Sequence, residues 1–226
     1  MTRDTETRRP GRPPGPPRDP GLRRAEILDA AERVIATSGP RMSIAQVAAE
    51  AGYARTAVYA VFPDLPTLID ALAQRHMNAI IAAADELLAE PLPARLLLRS
   101  VVSLMCDFVD GNPNLHHVLM QRLESDDAEH RPFFTHVSDW ATSVFDTILR
   151  RLDADPASAR IWATATVGAI LMSAEAWIQQ PTRSRTEFVD QLAAFLWPTV
   201  ESIGGNRLTG PLIGAQPPVP QRAAPG

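Results

Sequence analysis

The sequence predicts an all-α fold, and three observations support this prediction. Apolar residues recur at the three-to-four-residue spacing of one helix face through most of the chain. No alternating strand pattern is visible, and prolines and glycines divide the helical stretches. The chain has 226 residues, 45% of them hydrophobic, which is enough to bury a sizeable core. We predict nine helices between two Pro-rich segments, residues 1–19 and 205–226, which we expect to be disordered.

The first three helices are predicted within residues 20–62. Helix one ends at Gly39, a residue typical of helix C-termini. Ser43 is a good N-cap for helix two and forms a capping-box pattern with Gln46. Gly52 tolerates positive φ and ends this helix. Two short helices joined by a Gly-containing turn are typical of the helix-turn-helix, whose second helix enters the DNA major groove; a buried helical hairpin is the alternative for this pattern alone.

Six further helices are predicted to form a larger body. Helix four begins after Asp64, its expected N-cap, and extends to about residue 89. Pro198 lies inside the last predicted helix and is expected to kink or end it. We divide the chain into a helix-turn-helix domain, residues 20–66, and a body, residues 67–204. The ranges predicted for helices five to nine are 94–110, 114–123, 127–151, 156–179 and 185–203.

The charge is unevenly distributed along the chain. The net charge is −4, yet residues 1–62 hold 10 Arg against 7 acidic residues, so only this part suits a polyanion. The single cysteine, Cys106, excludes an internal disulfide and suits a reducing compartment. No signal-peptide pattern opens the chain. The longest uncharged helical stretch, residues 161–174, is expected to be too short to span a bilayer.

The residues around the predicted helix-turn-helix follow a known pattern. The block of residues 22–72 resembles the TetR (tetracycline-repressor) family of transcriptional regulators. The resemblance implies a nine-helix fold, a DNA-binding head, and a body that binds a ligand and forms a dimer. Two positions depart from the family pattern: Ala54 replaces a hydroxyl N-cap, at a cost of about 1 kcal/mol, and Leu65 replaces a phosphate-binding Lys. The matching residues are Ser43, Ile44, Ala45, Ala51, Gly52, Tyr53, Val58, Tyr59 and Phe62.

Helix three supplies the candidate contacts to base edges. Thr56 and Ala57 have short side chains that let the helix backbone approach the bases, and their methyl groups suit a thymine methyl. Arg55 can reach either a guanine or a phosphate. Arg41 precedes helix two and is a candidate phosphate contact, with a merely solvated side chain as the alternative.

Further DNA contacts are implied by resemblance. The family resemblance implies that Ser43 and Tyr59 bind phosphates through their hydroxyl groups; for Tyr59, partial burial beside Phe62 is the alternative. In the N-terminal arm, Arg12 lies in an Arg-Pro-Gly-Arg-Pro segment, residues 9–13, that imperfectly resembles an AT-hook core. Such a segment would fit a narrow AT-rich minor groove. A flexible basic tail without groove preference is the alternative.

The resemblance also implies a ligand cavity enclosed by helices four to eight and a two-fold bundle of helices eight and nine. Met and aromatic side chains suit an adaptable hydrophobic ligand, although the same residues are equally typical of a plain core. Helix eight is apolar nearly all round, so part of its surface is expected to face a partner. The candidate ligand contacts are Met77, Met105, Phe108, His117, Met120, Phe134, Trp140, Trp162 and Trp177. The candidate dimer contacts are Ala165, Gly168, Met172, Phe188, Leu192 and Phe195.

No pattern typical of a catalytic or metal site is present, and we expect no cofactor. His116 and His117 are adjacent, so their side chains diverge by roughly 100° on a helix and cannot share a metal ion. We interpret the chain as a cytoplasmic, homodimeric, sequence-specific repressor that a small hydrophobic effector releases from a palindromic operator in double-stranded DNA. It is not expected to be an enzyme or to contact a membrane. The alternatives are a ligand-independent regulator and a nucleoid-type DNA-binding protein that uses the Arg-Pro arm.

Overall fold

Nine α-helices and three short 3-10 turns make up the regular structure of residues 19–124 and 132–213, the part of the chain that the computed structural model describes. The all-α prediction with nine helices is therefore confirmed for these residues. The side chains of residues 119–124 and 132–135 are outside the description. The helices are α1 Pro20–Ser38, α2 Ile44–Ala51, α3 Arg55–Tyr59, α4 Leu65–Ala89, α5 Ala94–Gly111, α6 Pro113–Glu124, α7 Pro132–Arg151, α8 Ala159–Gln179 and α9 Arg185–Ser202.

Side-chain caps fix where several helices begin. Asp64 accepts a hydrogen bond of 2.7 Å from the backbone N–H of Thr67 at the start of α4. Ser184 and Glu187 form a reciprocal capping box at the start of α9. These caps satisfy N–H groups that have no partner within the helix, which is why the predicted starts of both helices agree with the structure.

Helix α9 continues past Pro198 to Ser202, so Pro198 does not end it. A proline inside a helix displaces the carbonyl four residues earlier, here that of Ala194. Both Pro198 and Ala194 are exposed. Water can therefore satisfy the displaced carbonyl, and the helix tolerates the ring.

The structure packs residues 205–213 against the body, whereas the sequence predicts a disordered tail over residues 205–226. A 3-10 turn, Gly205–Arg207, is followed by Leu208 and Leu212, which are only 7% and 4% exposed. These leucines pack into the body, and their burial outweighs the flexibility that the prolines and glycines suggest. Residues 214–226 and 1–18 lie outside the described residues.

Helix α4 belongs to two parts of the core. Leu68 and Leu72, near its start, lie in the hydrophobic cluster of α1, α2 and α3, together with Leu115 of α6. Met77 and later residues of α4 line the interior of the body instead. The predicted division between residues 66 and 67 falls in the first turn of α4, before Leu68 and Leu72, which pack in the core of the head.

Helix α8 presents apolar residues to solvent as well as to the core. Ile161 and Met172 are exposed, Met172 by 60%, and Phe195 of α9 is 73% exposed. Among the described residues, one segment, Pro156–Gln179, is long and apolar enough to cross a membrane by length and composition alone. The sequence-based expectation that this helix is too short to span a bilayer considered only its uncharged centre, residues 161–174. The length of the whole segment corrects that expectation.

Candidate DNA-binding surface and internal cavity

The turn between α2 and α3 depends on Gly52. Its backbone adopts φ 69° and ψ 27°, the left-handed region, and its N–H donates to the carbonyls of Ala48 and Ala49. A Cβ added at this position would meet no atom within 4 Å, so the backbone conformation, and not a lack of space, favours glycine here. The turn sets the angle at which α3 leaves α2.

Helix α3 is held by its buried side and not by its cap. Ala54, the N-cap residue, makes no side-chain hydrogen bond to the start of the helix, because alanine has no polar side-chain atom. Val58 and the following Phe62 are completely buried in the cluster shared by α1, α2 and α4. Tertiary packing therefore keeps this five-residue helix in place, because so short a helix is unstable by itself.

The opposite side of α3 carries the predicted DNA contacts. Arg55 and Thr56 are exposed, Ala57 is half-buried, and Tyr59 is 50% exposed beside buried Phe62. Arg41, which ends the 3-10 turn before α2, is also exposed. These residues thus lie on accessible surface at the two helices of the motif, whereas Arg12 lies outside the described residues.

The hydroxyl of Ser43 is engaged within the protein. Its oxygen accepts from the backbone N–H of Gln46 at 3.3 Å, and it donates to the Gln46 side-chain oxygen at 2.8 Å. A phosphate contact by Ser43 would require the hydroxyl hydrogen to turn away from Gln46.

Charged groups join α4 to α1. Arg75 and His76 of α4 both contact the Glu32 carboxylate, and the His76 Nε2 lies 3.0 Å from Glu32 Oε1. Arg75 also donates to Asp29 Oδ1 at 2.5 Å. Burial lowers the pKa of His76 although the Glu32 carboxylate acts in the opposite direction. No local sequence pattern indicates this network, because the residues of α1 and α4 that form it are more than forty positions apart.

Helix α6 forms a second connection between the head and the body. Asn114 donates from Nδ2 to the carbonyl of Ala36, near the end of α1, at 2.8 Å. On another side of α6, the Nε2 of buried His116 lies 2.6 Å from Glu175 Oε2 on α8. Desolvation lowers the pKa of His116 below its ordinary value, against the effect of Glu175. His116 is thus a polar group that links two helices of the body.

A cavity of about 120 Å³ lies among α4, α5, α7 and α8. Its lining is almost entirely apolar; His116 and Thr166 are among its few polar contributors. Trp140 also lines it, and its Nε1 donates to Asp85 of α4 at 2.8 Å. Four predicted ligand contacts come together here: Met77, Met105, Phe108 and Trp140.

Three other predicted ligand contacts lie outside this cavity. His117 is exposed and does not line it. Trp162 packs edge-on against Phe145, with ring centres 6.3 Å apart, and does not line the cavity. Trp177 stacks on Phe188 at 5.2 Å and donates from Nε1 to the Arg183 carbonyl, so it joins α8 to α9. The side chains of Met120 and Phe134 are outside the description.

The predicted dimer contacts divide into two groups. Ala165, Met172 and Phe195 are exposed, and a Cβ added to Gly168 would meet no atom within 4 Å. Leu192, in contrast, is buried within its own subunit against α5, and Phe188 is covered by Trp177. Leu192 therefore lies on the core side of α9.

No group of three or more His, Cys, Asp or Glu side chains that could hold a metal ion occurs in the part of the chain that the structure describes. Cys106 is buried, and desolvation raises the pKa of its thiol to about 11. This thiol is therefore protonated at neutral pH and unreactive.

Comparisons with known proteins agree with this arrangement. Residues 27–72 match the model of the bacterial regulatory proteins of the tetR family. An uncharacterized HTH-type transcriptional regulator of Mycobacterium tuberculosis is 23% identical over 180 residues, which cover 77% of this chain and 76% of the relative. The nucleoid occlusion factor SlmA of Shewanella denitrificans is 29% identical over 98 residues, 43% of this chain and 50% of that protein.

A solved structure has the same fold. The transcriptional regulator FadR of Bacillus subtilis, in complex with stearoyl-CoA, superimposes with a TM-score of 0.64 at 19% identity. The match covers 76% of this chain and 96% of that one. At this level of identity the likeness concerns the fold alone.

Proposed function

The chain belongs to the TetR family of transcriptional regulators, and from this premise we propose that it is a homodimeric repressor that an acyl-chain effector releases from a palindromic operator. The observation that carries the proposal is that α4 contributes residues both to the core of the head and to the lining of the cavity. Its first turns lie in the core of the DNA-binding head, and its later turns line the cavity. A ligand that moves this helix must also move the head. The proposal assigns the chain no enzymatic role and places it in the cytoplasm, with the chromosome.

The proposed DNA contacts follow from the exposed side of the motif. Arg55, Thr56 and Ala57 read base edges at the N-terminal end of α3, where a recognition helix approaches the major groove. Tyr59 and Arg41 contact phosphates, which position the head but do not specify a sequence. Arg12 of the N-terminal arm adds a further contact to phosphate or minor groove.

The exposed apolar side of α8 supports dimerisation. Met172, Phe195 and Ala165 form an apolar surface with open space above Gly168. A second copy of the chain that places its own α8 and α9 against this surface removes these side chains from water, so that their exposure does not require a membrane. Two-fold symmetry then presents two recognition helices to half-sites about one helical turn, roughly 34 Å, apart.

The apolar lining of the cavity favours an apolar effector, and a long acyl chain has a larger volume than the cavity. An engineered cavity of about 150 Å³ holds benzene, and this cavity of about 120 Å³ is of that order. A long acyl chain therefore enters only if the surrounding helices separate. We infer that this separation is the signal, and the stearoyl-CoA complex of the structural relative supports a fatty acyl thioester as the effector.

Contacts between the cavity and the head can transmit the separation of the helices to α1. Phe108 lines the cavity, and its ring centre lies 5.8 Å from that of His76. His76 in turn contacts Glu32 of α1. Displacement of Phe108 and α4 changes the position of α1, and the spacing of the recognition helices no longer matches the operator.

A DNA-binding titration tests the proposal. An operator is first selected from random duplexes with the full-length protein, and its binding is followed by fluorescence anisotropy. Addition of stearoyl-CoA is expected to release the DNA, whereas coenzyme A alone, which lacks the chain, is not. If the protein binds the operator equally well with and without acyl thioesters of every length, the proposed effector is wrong. If no symmetric sequence is selected, the proposed palindromic operator is wrong.

The sequence similarity to SlmA favours a second candidate, a nucleoid-type DNA-binding protein. Such a protein would bind random duplexes nearly as well as any selected one, with a strong dependence on salt. The selection experiment separates the two candidates, because only a specific repressor yields one enriched palindrome.

A further inference from the structure

The segment after α9 forms part of the cavity wall. Residues 204–213, here called the C-terminal strap, leave α9 at Gly204 and cross the end of the body distant from the DNA-binding head. Leu208 and Leu212 of the strap are buried and line the cavity. They belong to the same hydrophobic cluster as Leu88 and Ile148, so a segment with no regular helix contributes two side chains to the proposed effector site.

Hydrogen bonds hold the C-terminal end of the strap, and close packing holds its start. The N–H of Leu212 donates to the carbonyl of Leu88, in the last turn of α4, at 2.8 Å. The guanidinium of Arg151 donates to the carbonyl of Pro211. At the other end, a Cβ on Gly205 would overlap Val200 of α9, so the absence of a side chain lets the strap start closely packed. These contacts make it a fixed wall.

The cavity extends along α4 from the head to the strap. Met77 and Phe108 line the end nearest the head, and Leu88 lines the end at the strap. Met77 and Leu88 are eleven positions apart, which corresponds to about 16 Å of helix. An extended chain that follows α4 therefore points one end at Leu208 and Leu212.

The polarity of the lining sets the direction of the chain. His116, the buried polar group, lies on α6, whose neighbouring residue Leu115 packs in the head cluster. The lining at the strap end is apolar, with aliphatic side chains such as Ala94 and Ile148 and the ring of Trp140. The polar end of an acyl compound is accommodated near His116, since an unpaired polar group in an apolar site is costly. The terminal methyl group then faces the strap.

We propose that the C-terminal strap is the end stop of the cavity and that Leu208 and Leu212 set the longest acyl chain that the protein accepts. This inference rests on the proposed function, since it requires an acyl effector. Each methylene added within an apolar cavity strengthens binding about fourfold. The gain stops at the chain length that reaches the two leucines, because any further methylene must displace side chains whose backbone is fixed.

The test uses saturated acyl-CoA thioesters of increasing chain length and the full-length protein. Binding is followed by the change in intrinsic tryptophan fluorescence, to which Trp140 of the cavity wall contributes. Wild-type affinity is expected to rise about fourfold per methylene up to one length and to fall beyond it. Leu212→Ala and Leu208→Ala should move this maximum to longer chains, and Leu212→Phe should move it to shorter ones. The matched control is Leu149→Ala, which truncates a buried leucine of α7 that lines neither the cavity nor the surface pocket beside the strap.

The outcomes are distinct. Maxima that shift in opposite directions for Leu212→Ala and Leu212→Phe, with no shift for Leu149→Ala, support the end stop. The same maximum in wild type and in all strap variants would overturn it while leaving the acyl effector intact. A wild-type protein that binds no thioester of any length would instead overturn the proposed function, and this inference with it.

Discussion

His76 of α4 and Glu32 of α1 are in direct polar contact, with 3.0 Å between Nε2 and Oε1. The contact joins the helix that lines the cavity to the first helix of the DNA-binding head. The ring of His76 also packs against Phe108 of the cavity wall. One side chain therefore touches both the proposed effector site and the head.

Removal of this side chain should weaken the communication between the two sites. In His76→Ala, the effector should still bind, but its effect on operator affinity should shrink by about 0.5–2 kcal/mol, the range for residues that carry coupling. The measurement is operator affinity with and without saturating acyl thioester. The control is Asp29→Asn, which alters the second partner of Arg75 but leaves His76 and Glu32 in place. An undiminished response in His76→Ala would show that the coupling takes another route.

Stability should fall as the pH drops below about 6.5, the ordinary pKa of histidine. Burial lowers the pKa of His116 in the folded state, so the unfolded chain binds its proton first and unfolding is favoured at acidic pH. Urea unfolding at a series of pH values measures this slope. His116→Gln, which keeps a polar side chain but does not titrate, should flatten the slope. Identical slopes in wild type and His116→Gln would be inconsistent with a depressed pKa at His116.

Tyr59→Phe removes the hydroxyl group of a half-exposed residue of α3 and keeps its ring. Affinity should fall by about 0.5–1.5 kcal/mol, the net value of one hydrogen bond, and by a similar amount on operator and random DNA, because phosphates carry no sequence. Anisotropy titrations on both duplexes provide the measurement. Thr56→Ser, which deletes only a methyl group, should change the preferred base instead. Equal affinities for wild type and Tyr59→Phe on both duplexes would assign Tyr59 a purely structural role.

The accuracy of sequence-based prediction differs between the head and the body for a physical reason. The head is specified by local chemistry: the caps Ser43 and Asp64, and the positive φ of Gly52, are properties of a few adjacent residues. The cavity depends on which side of each helix faces inward. Trp162 and Trp177 lie on a helix that is apolar nearly all round, so spacing alone could not assign them to the cavity or to a neighbouring helix.

The strap was missed for a different reason. Its prolines and glycines are typical of disordered segments, yet Leu208 and Leu212 are spaced so that both reach the core. The signal available in the sequence was this pair of leucines after the last helix. Their burial depends on a complementary surface formed by α4 and α7, which no local pattern reveals.

Gly168→Leu should weaken the dimer. The added side chain has free space within the subunit, so any cost arises where a partner helix approaches, and overpacking costs about 1–3 kcal/mol per site. Light scattering on a dilution series should show more monomer than in wild type. The control, Gly111→Leu, places the same side chain in open space at the end of α5. A wild-type chain that is monomeric at micromolar concentration would contradict the proposed dimer altogether.

Deletion of residues 1–18 tests the basic arm, which holds five Arg and two acidic residues. The slope of log affinity against log salt should become shallower by about 0.9 for each phosphate that the arm neutralises in the full-length protein. Titrations at several salt concentrations, on operators with AT-rich and GC-rich flanks, separate electrostatic binding from minor-groove reading. A greater fall in affinity on AT-rich flanks would support the AT-hook resemblance of Arg12. An unchanged slope would mean that the arm does not touch the DNA.

The hydrophobic cluster of the head is completed by residues from outside the motif that reads DNA. Leu68 and Leu72 come from α4, and Leu115 comes from α6, nearly fifty residues further along the chain. A head excised at residue 66 would lack all three and leave part of its own core open to water. Exchange of heads between unrelated regulators is therefore a poor route to new pairings of ligand and operator. Substitution of residues that line the cavity leaves this shared core intact, and it is the route by which such a protein can change its ligand while it keeps its operator.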